Sequence, residues 1–204
     1  MNRAAAGKAL LWALLSVPAL LIVRRYVVED ELWPGDLLHP TGEWSARSIV
    51  LALMLTPLST LLPRAGWVRW LVRHRRAFGV AAFGYALLHL AFYVLDMETA
   101  RNMLAELAAP GIWTAWLAFL CLIPMAATSN DASMRLLKRG WKRLQRLAYP
   151  AAILTLAHWM LVHDGRTAAL ITFAPLAALT LYRLARSLRR RTPSTQKFNQ
   201  GVSS

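Results

Sequence analysis

Apolar residues are gathered into six runs, at about 9–23, 46–62, 77–95, 111–128, 147–162 and 168–184, each bounded by charged or polar stretches. An α-helix needs ~20 residues to cross a ~30 Å hydrocarbon core, and several of these runs are slightly short of that. Flanking Trp and Arg make up the difference by sitting at the headgroup level. Trp33, Trp44, Trp67, Trp70 and Trp141 fall near run ends, as an interfacial belt would. The expected fold class is all-α, an integral membrane bundle of six helices within residues 1–191. The loops are too short for a second domain. From Thr192 onward the chain is polar, and Pro193, Ser194, Gln196 and Asn199 offer no apolar face, so 192–204 reads as a disordered tail.

The first run follows Arg3 and Lys8 as the core of a signal peptide would. No small-x-small cleavage site follows Val23, however, and the next residues are Arg24, Arg25 and Tyr26, so the run reads as an anchor.

Composition agrees with the pattern. Of 204 residues 57% are hydrophobic and only 17% charged, which argues against a soluble enzyme. A single cysteine, Cys121, excludes an internal disulfide framework and any multi-cysteine zinc or iron–sulfur site. The net charge of +14 would point to nucleic acid in a soluble chain. Its distribution says otherwise. Before the first run, between the second and third, between the fourth and fifth, and from Arg183 at the end of the sixth onward lie 19 of the 24 basic residues and one acid, Asp131. The alternate loops, with Arg47 at the start of the second run, hold 5 basic residues and the other 9 acids, so one face carries +18 and the other −4. By the positive-inside rule the basic face and both termini are cytoplasmic, and no nucleic-acid partner is expected.

Ionisable residues inside membrane helices are the default functional candidates. His39 lies in an acidic loop beside Pro40, His74 in a basic loop, and His163 closes the fifth run next to Asp164; these read as loop or interfacial residues. His89 and His158 lie inside apolar runs. His89 is 13 residues beyond Arg76 and His158 is 12 beyond Arg146, so at ~1.5 Å per residue both sit roughly 18–20 Å from the basic boundary. Their runs point the same way, which lets two neutral imidazoles face one another across a shared haem iron. Neither run has a carboxylate or cysteine at that level, which weakens a zinc or di-iron site. Hydrogen bonding to a neighbouring helix is the alternative for either histidine alone.

At this point the sequence resembles a known family. Its carriers are Thr41-Gly42, Thr56-Pro57-Leu58, Arg75-Arg76 followed by Gly79, and Leu88-His89-Leu90 with Tyr93. Further along come Thr128-Ser129-Asn130, Trp141-Lys142 with Leu144, Tyr149, and His158-Trp159. In this order, over about 41–182, they resemble the MsrQ family of haem-binding membrane subunits, within the ferric-reductase-like transmembrane proteins. The resemblance implies a b-type haem held by the residues matching His89 and His158. It implies electrons taken from the quinone pool and passed to a periplasmic molybdopterin enzyme, MsrP, that reduces methionine sulfoxide in oxidised envelope proteins. The bacterial inner membrane is the implied location.

The family is also associated with a flavin, FMN, though the sequence has no dinucleotide-type glycine motif to mark a site. Where the family commonly has a further histidine this chain has Gln145, a poor iron ligand, which counts against a second bis-histidine haem. At ~100° per residue Arg75 lies about 40° from His89 around an ideal helix and His74 about 60°, so both approach its face. Gln145 lies about 140° from His158, unless Pro150 kinks the run. Arg75 and Gln145 are therefore candidates for a cofactor region on the basic side.

An electron-transfer subunit with no substrate-reduction site of its own is the expected role. Two rivals remain: a stand-alone ferric or quinone oxidoreductase, which 204 residues without a fused nicotinamide and flavin domain make less favourable, and a non-redox membrane scaffold.

Overall fold

The computed structural model describes residues 3–162 and 165–191; His163, Asp164 and the segment 192–204 with its expected tail lie outside them. All regular structure among the described residues is helical. In chain order the helices are α1 (Arg3–Val28), α2 (Leu38–Leu61), α3 (Gly66–Arg73), α4 (Arg75–Met97) and α5 (Ala100–Glu106). They continue as α6 (Pro110–Ala127), α7 (Asp131–Leu137), α8 (Arg139–Leu144), α9 (Ala148–Val162) and α10 (Arg166–Arg191). Tight 3₁₀ turns at Pro34–Leu37 and Gln145–Leu147 lead into α2 and α9.

All six apolar runs are helical, but five helices have membrane-crossing length and composition where the sequence suggests six. The exception is α9. Its 15 residues rise only ~22 Å, because the chain enters it through the turn at Gln145–Leu147 instead of a continuous helix. Large apolar side chains point away from the protein on α1 and α10, among them Leu14, Leu20, Val27, Ile171 and Leu181. Helices greasy on their outer faces need lipid as their solvent, and the chain is a multi-pass membrane protein.

The bundle is built from two intimate pairs, α2 on α4 and α6 on α9, with α10 laid along α2. One buried cluster joins all five: Ile49 from α2, Ala82 from α4, Leu122 from α6, Ala151 and Trp159 from α9, and Phe173 from α10. Ala46, Ala82, Ala151 and Ala169 have no accessible surface. Small side chains let the helix backbones approach, the usual source of helix association where lipid competes equally for apolar surface. Ser45 Oγ donates to the Ala82 carbonyl at 2.9 Å, tying α2 to α4 with a bond that lipid cannot replace.

Helix starts follow local chemistry. Thr99 Oγ1 and Asn130 Oδ1 accept the backbone N–H groups of Asn102 and Ser133, capping α5 and α7. Pro110 opens α6, where a missing N–H costs nothing. The short helices α3, α7 and α8 lie at the end of the bundle that carries the basic loops. There Arg76 reaches Asp131 at 2.6 Å and Trp141 Nε1 donates to the Thr128 carbonyl at 2.9 Å.

α1 is attached through one polar clasp. Tyr85 Oη donates to the Leu15 carbonyl at 2.7 Å and accepts the Ala19 N–H at 3.2 Å, entering the α1 ladder beside Pro18. Pro18 cannot donate to the Leu14 carbonyl, and the phenol bridges the neighbouring Leu15–Ala19 step of the ladder that proline weakens. Tyr85→Phe is expected to cost about 1 kcal/mol locally. Hydrogen exchange in a lipid nanodisc should show faster exchange at Ala19 with α4 unchanged; unaltered protection of α1 would refute the clasp.

Candidate metal centre

His89 projects from α4, one helical turn beyond Tyr85, towards the first turn of α2. Its Nδ1 donates to the Leu38 carbonyl at 2.8 Å and lies 3.2 Å from Thr41 Oγ1. Thr41 directs its own proton to the Leu37 carbonyl at 2.6 Å, so towards His89 its oxygen accepts. Gly42 makes room for the ring: a Cβ there would meet His89 Cε1 at 3.2 Å.

His158 repeats the arrangement in the other helix pair. Its Nδ1 donates to the carbonyl of Gly111, at the start of α6, at 2.9 Å. A Cβ on Gly111 would collide with Val162 Cγ2, so glycine lets α6 lie close enough to α9 for the bond to form. In both rings a carbonyl acceptor places the proton on Nδ1 and the lone pair on Nε2, the tautomer a metal-binding imidazole requires.

The two rings meet. Their centroids are 6.1 Å apart with planes at 81°. Both line a cavity whose other walls are largely apolar, including Ala86, Leu90, Trp116, Phe119 and Leu122. A second cavity runs from the same pair towards Asp96 and Glu106. There Tyr93 Oη donates to Glu106 Oε2 at 3.0 Å. Among the described residues no group of three or more His, Cys, Asp and Glu side chains could hold a metal. A metal bound by His89 and His158 therefore needs its remaining ligands from a non-protein group, and the apolar cavity suits a flat macrocycle.

The other singled-out residues lie elsewhere. His39 is exposed near the start of α2, its ring edge-on to Trp159 at 6.1 Å. His74 folds back on α3, donating Nδ1 to the Trp70 carbonyl at 2.8 Å and tilted over the Trp70 indole at 4.3 Å. Arg75 and Gln145 do come together, in a cavity at the basic end lined also by Arg76, Lys142 and Arg146. Gln145 Nε2 donates to the Met125 carbonyl at 3.2 Å and lies 3.4 Å from Thr128 Oγ1. The 140° separation of Gln145 from His158 assumes one continuous helix, whereas a 3₁₀ turn separates them and Pro150 lies in the first turn of α9. The Arg76 guanidinium, through its hydrogen bond and charge, holds the Asp131 carboxyl below the usual carboxylate range, so this link stays ionised at neutral pH.

Sequence reasoning did not assign Leu38, Thr41, Gly42 or Gly111 to the site. Thr41 and Gly42 stood out only as carriers of the family resemblance, and Gly111 only as a glycine opening the fourth apolar run.

Residues 41–156 match the model of the family described as ferric reductase like transmembrane component, a region that includes His89 and stops two residues before His158. Similar curated proteins bear the name protein-methionine-sulfoxide reductase heme-binding subunit MsrQ. That of Xanthomonas axonopodis pv. citri (strain 306) is 36% identical over 168 residues, covering 80% of this chain and 75% of the relative. That of Xanthomonas oryzae pv. oryzae (strain MAFF 311018) is 38% identical over 152 residues, 72% of this chain and 67% of the relative. The protein of Brucella ovis (strain ATCC 25840 / 63/290 / NCTC 10512) is 33% identical over 170 residues, 80% and 74% of the two chains.

Gly111→Ala is expected to force α6 from α9 and lower stability by about 1–3 kcal/mol, read as a lower melting temperature in detergent. Gly84→Ala, where an added Cβ meets nothing within 4 Å, should be neutral or slightly stabilising. Equal behaviour of the two variants would contradict the close approach at Gly111.

Proposed function

The chain belongs to the ferric-reductase-like transmembrane family, among its MsrQ-type subunits, and from that premise we propose that it is a b-type cytochrome delivering electrons across the bacterial inner membrane. Electrons enter from the quinone pool and leave to a periplasmic molybdopterin enzyme, MsrP, which reduces methionine sulfoxide in oxidised envelope proteins. In this reading the basic end of the bundle faces the cytoplasm with both termini, a placement that the +18 and −4 partition of charge supports. The acidic end, with Asp96 and Glu106, faces the acceptor.

The observation that carries this reading is the His89–His158 pair. Two metal–nitrogen bonds of ~2 Å plus ~1 Å from each nitrogen to its ring centre give about 6 Å between centroids, against the 6.1 Å found. The donor set fits haem b: two neutral imidazoles, each with Nδ1–H anchored, in an apolar cavity. A haem held by His89 and His158 would supply one-electron ferric–ferrous cycling, with both imidazoles given to the iron and none left to act on a substrate. The protein's part is positional. The Leu38 and Gly111 carbonyls fix the two rings, Thr41 braces His89, and Trp116, Phe119 and Leu122 help exclude water from the charge-changing centre.

Arg75 and Gln145 belong to the region through which electrons arrive, where a flavin such as FMN is the family's associated group. A second bis-histidine haem does not fit there. The cavity has no histidine in its lining, and Gln145 offers a carboxamide engaged with Met125 and Thr128.

His89→Ala and His158→Ala are each expected to abolish the low-spin haem spectrum, while His39→Ala retains it. Wild-type haem absorbance in either of the first two would remove the pairing. Haem per polypeptide is expected near one; a ratio near two would overturn the single-haem assignment.

A further inference from the structure

The cavity at the basic end has chemistry that the histidine pair does not use. Arg75 and Arg76 from the start of α4, Lys142 from α8 and Arg146 from the following turn all line it, and no carboxylate does. Among the described residues Arg75, Lys142 and Arg146 make no ion pair. Arg76 is only half satisfied: Nη2 holds Asp131 at 2.6 Å, while Nη1 is buried without a hydrogen-bond partner. Arg75, Lys142 and Arg146 are exposed at the cavity's rim, as topology alone would leave them, but the unpaired buried Arg76 Nη1 is costly unless a ligand supplies an acceptor.

We propose that this cavity binds the phosphate group of an anionic ligand, foremost the headgroup of an anionic phospholipid. The proposal rests on the membrane orientation given above and adds a ligand class to the same basic-end region. Phosphate is favoured over carboxylate because the cations come from separate elements, and a tetrahedral anion accepts from several directions at once. Lipid is favoured by the rest of the lining, where Ala52, Leu53, Gly79 and Met125 offer the first carbons of an acyl chain apolar surface. The level is also right. The cavity lies where α2 and α6 end and α4 begins, at the headgroup zone of the basic leaflet, where pockets of this kind recognise anionic lipid.

The test uses the full-length holoprotein in phosphatidylcholine nanodiscs with and without phosphatidylglycerol, followed by native mass spectrometry. Wild type is expected to retain one phosphatidylglycerol, and the Arg75→Gln/Lys142→Gln double variant to retain it at least about 10-fold less, equivalent to about 1.4 kcal/mol. Arg135→Gln/Arg139→Gln, which removes equal charge outside the cavity, should behave as wild type. A soluble phosphate ester retained from phosphatidylcholine-only discs, and lost in the Arg75/Lys142 variant, supports the site with a soluble source. Equal retention in wild type and that variant, or no phosphate-bearing adduct in either, overturns the proposal. Haem absorbance is recorded on the same samples, so failure of the phosphate site and failure of the histidine assignment are read separately.

Discussion

A neutral imidazole inside an apolar bundle must give its N–H to an acceptor, and in lipid the only abundant acceptors are backbone carbonyls. The two histidines meet this constraint in the same way. Each lies on one helix of a tight pair and donates to a carbonyl in the first turn of its partner, Leu38 for His89 and Gly111 for His158. The bond requires the paired backbones to be close, so Gly42 and Gly111 stand where a larger residue would press on His89 or on Val162. Once both Nδ1 protons are committed, both Nε2 lone pairs belong to rings 6.1 Å apart, and the cavity between the pairs follows.

The ends of the bundle divide the remaining work by charge. Towards the acidic end the histidine pair opens into a cavity bearing Asp96 and Glu106. The basic end is closed by α3, α7 and α8, which bring Arg75, Arg76, Lys142 and Arg146 around one cavity. An electron carrier needs this polarity, a centre shielded from water with chemically distinct approaches from its two sides.

Much of this was legible in the sequence because helix geometry converts counting into distance. Thirteen residues from Arg76 and twelve from Arg146 placed His89 and His158 at one depth, and the structure sets their rings side by side. The acceptors were not legible. Leu38 lies 51 residues from His89 and Gly111 lies 47 from His158, and a carbonyl that every residue possesses leaves no sequence signature. The short α9 was hidden for a related reason: residues 147–162 are mostly apolar, and nothing in composition marks Gln145–Leu147 as a turn. The angular argument about Gln145 takes the helix as unbroken, and that same turn interrupts it. Basic residues announced the membrane's sides, but only the fold shows that four of them converge with one Arg76 nitrogen unsatisfied.

The perpendicular setting of the two imidazoles, 81° apart, gives the most direct test of the central claim that both ligate one iron. Crossed axial rings leave two of the iron d orbitals nearly degenerate, whereas parallel rings split them. Low-temperature electron paramagnetic resonance of the ferric protein should therefore give a highly anisotropic low-spin signal dominated by a single large g feature. A high-spin signal, or the resolved rhombic pattern of parallel imidazoles, would contradict the assignment.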